Sequence, residues 1–127
     1  MNAVAVLNAS YSNLRKNEGS PPLGFESGNW WYYDVTLKET SGNVGVTVNS
    51  RQTCYGASDG TNWCDPVKTD MIGEFGTNHI SAGGTIINPN GWVWFYSGYD
   101  YSTTETYWGV DDNGNNVQSS FRFTVTS

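Results

Sequence analysis

Lysine and arginine supply only six of the 127 residues, against twelve Asp and Glu, giving a formal charge of −6. Such a surface repels phosphate and excludes nucleic acid as an expected partner. Histidine occurs once, at His79, and cysteine twice, at Cys54 and Cys64. A four-ligand zinc site is therefore not expected. A Ser-His-Asp triad is not expected either, since no Ser occupies a G-x-S-x-G turn. No stretch approaches the roughly 20 apolar residues of a spanning helix, so no membrane span is expected. The short AVAVL segment has neither the length nor the basic flank of a signal peptide. Runs of good helix formers are also missing, and no cofactor motif is present.

What is present points to strands. Aromatics make up 15% of the chain, which also carries 15 Gly and many Thr, Ser and Asn. That composition predicts an all-β protein, and the length suits one domain over residues 1–127. WWYYDVTLKET (30–40) is the clearest strand, with Trp31, Tyr33, Val35 and Leu37 on one face. SGN (41–43) and VGVTVNS (44–50) then read as a turn and the second arm of a β-hairpin. Residues 2–8 read as a first strand and 11–29 as a long irregular connection. After the cysteines, 67–76 and 79–88 read as short strands broken by glycines. PNG (89–91) reads as a turn before WVWFYSG (92–98). TTETYWGV and NVQSSFRFTVT are joined by DDNGNN (111–116), whose Asn113-Gly114 suggests a type I′ hairpin. About seven or eight strands with frequent turns predict two antiparallel sheets packed as a β-sandwich, immunoglobulin-like or jelly-roll-like.

A resemblance supports that fold. YDVTLKETSGNVGVTV and the closing WGVDDNGNNVQSSFRFTV resemble hairpins of immunoglobulin-like or fibronectin type III-like modules appended to secreted bacterial proteins. The resemblance is one of strand and turn pattern over about half the chain. It implies a sandwich and carries over no functional residue.

The stretch GWVWFYSG sets the functional question. If Val93 and Phe95 face the core, then Trp92, Trp94 and Tyr96 face outward, and the same alternation turns Trp30 and Tyr32 outward. Five outward aromatics form a platform on which a pyranose ring could stack, with Asn, Asp, Gln and Arg at the rim to hold its hydroxyls. Core filling and contact with a neighbouring domain are the competing readings of the same rings. Trp63, in TNWCD, either caps the core or projects as a recognition finger.

Cys54 and Cys64 enclose nine residues, and a disulfide there is worth roughly 2–3 kcal/mol in the chain-entropy model. It implies an oxidising compartment, hence a secreted or extracellular location. Among the carboxylates, Asp34, Glu39, Glu74, Asp100 and Glu105 are candidates for a glycosidase pair. No spacing pairs any two of them, so they read as solvated or turn-forming groups. DDNGNN and DGTNWCDP (59–66) are oxygen-rich, but without an EF-hand pattern, and a turn explains the first without metal. The expectation is therefore a noncatalytic module, needing no cofactor or metal, that binds poly- or oligosaccharide and keeps a larger secreted enzyme near its substrate. The alternative is a structural spacer or protein-contact domain meeting neighbouring domains of a longer chain.

Overall fold

The computed structural model describes residues 3–17, 29–95 and 99–126. Eight strands in two antiparallel sheets form an all-β sandwich: β1 (Leu7–Asn17), β2 (Asn29–Glu39), β3 (Val46–Ala57), β4 (Asn62–Cys64), β5 (His79–Ile80), β6 (Thr85–Phe95), β7 (Asp100–Asp111) and β8 (Asn116–Thr126). The smaller sheet runs β1-β2-β6. The larger runs β4-β3-β7-β8, with β5 paired to β3. Strand alternation explains the core. Tyr33, Val35 and Leu37 of β2 and Val93 and Phe95 of β6 are buried, facing Val46, Val48, Tyr101, Tyr107, Phe121, Phe123 and Val125 of the larger sheet. Trp31 is partly buried against this core.

Several sequence expectations are corrected. The first strand starts at Leu7 and runs to Asn17 through what reads as a loop, with a register shift between Ser12 and Arg15 and a left-handed Asn13. The expected hairpin of β2 and β3 does not form, because these strands belong to different sheets. Both carry an apolar face, and stacking those faces buries more surface than pairing edges would. Glu39 organises the crossing. Its carboxylate is buried and accepts from the backbone N–H groups of Val6, Ser41, Gly42 and Gly83 at 2.7–3.1 Å. The 67–76 stretch contains a short helix, α1 (Met71–Phe75), whose preceding Asp70 accepts from Gly73 N–H. PNG is no turn: β6 passes through it with a register shift, and Pro89 is tolerated on this edge strand. A Cβ at Gly91 would lie 2.8 Å from the Tyr33 ring, so only glycine fits there. At the β7–β8 turn only Gly114 has positive φ, at 86°. With Gly114 N–H bonded to the Asp111 carbonyl, this is a type I turn closed by a left-handed glycine, not type I′.

Asp111 is buried in that turn and accepts from Ala5, Asn113 and Asn115, which ties the chain start to the β7–β8 end. It is explained as a turn carboxylate. Glu39 and Asp111 share an acid response. Burial alone would raise both, but the backbone N–H donors outweigh it and hold each at about 2, below the ordinary 4.5 and 3.8. Folded values below unfolded ones mean that their stabilisation is complete above the ordinary carboxylate range and is lost as pH falls toward 2. Glu39→Gln is therefore expected to flatten the fall in urea midpoint between those limits. An unchanged slope would show that Glu39 is not a source of it.

Candidate functional site

The sandwich is closed on one side, where β1 approaches β8, and open on the other, where the β6 edge faces β3, β4 and α1. Along the open side lies a cleft of about 630 Å³. Its floor is built by inward positions of the larger sheet. Arg51, Thr53 and Tyr55 alternate on β3, and Glu105 and Tyr107 on β7. The register sets Arg51 opposite Tyr107 and Thr53 opposite Glu105. Tyr33 and Val35 of β2 close the floor from the other sheet, and α1 contributes Glu74.

Arg51 joins two carboxylates that sequence spacing does not pair. Its Nε donates to Glu74 Oε1 at 2.5 Å and its Nη1 to Glu105 Oε1 at 3.1 Å. Glu105 Oε1 also accepts from Thr53 Oγ1 at 3.0 Å and from the Tyr33 hydroxyl at 3.4 Å. Glu105 is only 2% exposed, and its Oε2 has no hydrogen-bond partner among the described residues. Burial pushes the Glu105 carboxyl above its ordinary range; Arg51 pulls it down, less effectively, and the Glu74 charge opposes it. The Tyr33 and Tyr107 phenols are raised, first by burial and then by the Glu105 charge. Tyr55 is raised by burial and by donating to Asp65 Oδ2 at 2.7 Å.

Aromatic rings border this polar floor. Trp63 stacks on Tyr55 with centroids 5.1 Å apart and meets Tyr101 edge-on, with 39% of its surface exposed. It is held by the Cys54–Cys64 disulfide, which joins direct register partners of β3 and β4. Trp63 thus packs by one face and is exposed by another. Across the cleft, Trp92 (43% exposed) and half-buried Trp94 line the β6 edge.

The flat five-ring platform is corrected. Trp30 lies opposite Trp94 on the outer side of the smaller sheet, but it is 1% exposed, packed 5.3 Å from Trp92 and 6.4 Å from Trp94. Large indoles on neighbouring strands cover one another, so Trp30 supports its neighbours and offers no stacking face. Tyr32 is half-buried, with the Arg15 guanidinium 5.8 Å from its ring centroid and Arg15 paired to Asp34. Tyr96 lies outside the described residues. Trp63, Trp92 and Trp94 are thus brought together at the cleft, while Trp30 and Tyr32 are not part of it. Sequence reasoning missed Arg51, Tyr55 and Tyr107 and set Glu74 and Glu105 aside. A signal was there. In DYSTTETYWGVD, Tyr101, Thr103, Glu105 and Tyr107 share one face, and the two tyrosines mark it as inward.

The fold has solved counterparts. The chain is similar to a putative ApaA protein from Bordetella pertussis, with a TM-score of 0.66 and 15% identity, over 96% of this chain and 94% of that one. It is also similar to a Northeast Structural Genomics Consortium target, SoR45, with a TM-score of 0.61 and 13% identity, over 98% and 86% of the two chains. At these identities the likeness is one of fold. No family model matches the chain, and no curated protein matches it. Among the described residues, no helix is long and apolar enough to cross a membrane, and no group of three or more metal-ligating side chains is found.

Proposed function

We propose that this protein is a noncatalytic carbohydrate-binding module of a secreted protein, and that the saccharide enters the cleft at the open edge of the sandwich. One observation carries the reading: three partly exposed tryptophans, Trp63, Trp92 and Trp94, are among the residues lining a cleft whose floor is polar. Aromatic faces for the C–H side of a sugar ring, with a few convergent polar groups for its hydroxyls, are what such a ligand requires. Asn90 at the rim and Asp65 and Glu74 at the floor supply acceptors and donors. The bonding of Glu105 and Glu74 favours binding over hydrolysis, since both carboxylates are engaged by Arg51. The strand order supports an immunoglobulin-like module: the first, second and sixth strands share one sheet and the third, seventh and eighth the other, matching strands A, B, E and C, F, G of that fold. The disulfide supports secretion.

Affinity is expected to be micromolar or weaker, since each stacked ring adds a modest term. Tryptophan fluorescence and pull-down on a panel of soluble and insoluble polysaccharides test the reading. Wild type is expected to be retained on at least one. Trp92→Ala is expected to weaken that retention by about two- to tenfold, because a stacked ring contributes about 0.5–1.5 kcal/mol, while leaving the melting temperature nearly unchanged. Retention on none of them would transfer the lead to a spacer or protein-contact role.

A further inference from the structure

The floor of the cleft is short of positive charge. Glu74 and Glu105 converge on a single guanidinium, that of Arg51, and Asp65 adds a third carboxylate to the lining. Arg51 and the exposed Lys68 are the only cations among the described lining residues. Within this group Glu105 is the anomaly. It is almost fully buried, its Oε1 is saturated by Arg51, Thr53 and Tyr33, and its Oε2 completes no well-formed hydrogen bond among the described residues, the neighbouring Tyr107 hydroxyl being equally unsatisfied. A buried carboxylate with an unused oxygen is costly to leave unmade, and the cost falls when a donor or cation reaches it. Aromatic walls favour a cation as well, because an ammonium beside an indole or phenol face is attracted by the ring quadrupole.

We propose that the saccharide recognised here is an amino sugar with a free primary ammonium, which binds the Glu105 side of the cleft floor while its ring rests against the indoles. The inference rests on the carbohydrate reading and narrows it. The ammonium supplies the second cation that two carboxylates sharing one arginine lack, through charge-assisted hydrogen bonds. An N-acetylated or 2-hydroxyl sugar of the same size lacks that charge.

The test is calorimetric titration with short β-1,4-linked oligomers of glucosamine, N-acetylglucosamine and glucose. Titrations at neutral and at mildly acidic pH separate charging of the amine from protonation of the raised Glu105 carboxyl, and about 0.15 M salt screens the general attraction of an acidic protein for a cation. The glucosamine oligomer is expected to bind about tenfold or more tightly than the other two. Glu105→Gln should bring the three affinities together without abolishing binding of the neutral sugars. Asp112→Asn removes one charge at an exposed residue beyond the far end of β7 and should leave the preference intact. If Glu105→Gln fails to fold, judged by circular dichroism, Glu74→Gln replaces it. Its side chain is 20% exposed, and the same loss of preference is expected. Equal binding of the three oligomers by wild type, or a preference that survives the substitution, overturns the inference and leaves the carbohydrate reading standing. Binding of none overturns both.

Discussion

Arg51→Met is expected to destabilise the fold by about 3–5 kcal/mol, the usual cost of leaving a buried charge without its partner. The guanidinium holds Glu105 inside the sandwich and Glu74 at the cleft floor. Glu105, 2% exposed, would keep the Thr53, Tyr33 and Tyr107 hydroxyls but no cation. The pH dependence identifies the cause. The Glu105 carboxyl lies above the ordinary 4.5 when folded, chiefly through burial. The folded state therefore binds a proton that the unfolded state has released, and ionisation of Glu105 removes stability as pH rises from 4.5 through the folded value. Without Arg51 the folded value climbs further and that loss grows. Groups facing Glu105 from the packed elements, Tyr33, Tyr107, Thr53 and Glu74, offer no replacement cation. The urea midpoint of Arg51→Met should thus lie closest to wild type near the ordinary carboxylate range and farthest from it at neutral pH. Adding Glu105→Gln should recover most of the neutral-pH deficit. A deficit equal at both pH values, with no recovery in the double variant, would place the effect in lost packing of the arginine stem instead.

Phe95→Ala should cost a similar amount, about 3–5 kcal/mol, by creating a cavity. Phe95 is 2% exposed, stacks on Tyr101 at a centroid distance of 4.2 Å and receives Tyr55 edge-on at 5.5 Å. Tyr55 in turn carries Trp63, so the loss reaches the cleft. Trp92→Ala, two residues beyond Asn90 on the same edge strand but exposed, should cost far less. Equilibrium unfolding of the two variants checks the contrast. Similar losses in both would mean that Trp92 supports the core through Trp30 more than its exposure suggests.

The sequence by itself was sufficient for the all-β sandwich, the strand over 30–40 with its inward Tyr33, Val35 and Leu37, the inward Val93 and Phe95, and the Cys54–Cys64 bridge. These follow from period-two alternation and cysteine spacing, which are local properties of the chain. Alternation also separated the two faces of GWVWFYSG. It could not say which outer rings stay open, because exposure depends on what the neighbouring strand lays over them, and Trp92 and Trp94 cover Trp30. Partner choice was likewise beyond local pattern. A turn at 41–43 suits a hairpin and a crossing between sheets equally well, and the buried Glu39, bonded to Val6 from one distant segment and Gly83 from another, decides for the crossing. The cleft is the clearest case. Arg51, Glu74 and Glu105 come from β3, α1 and β7, with sequence separations of 23 and 54 residues from Arg51. No spacing rule joins them. Only stacking the two sheets with β6 as an open edge brings one guanidinium between two carboxylates, because side chains that share no local period meet only where the packed layers place them.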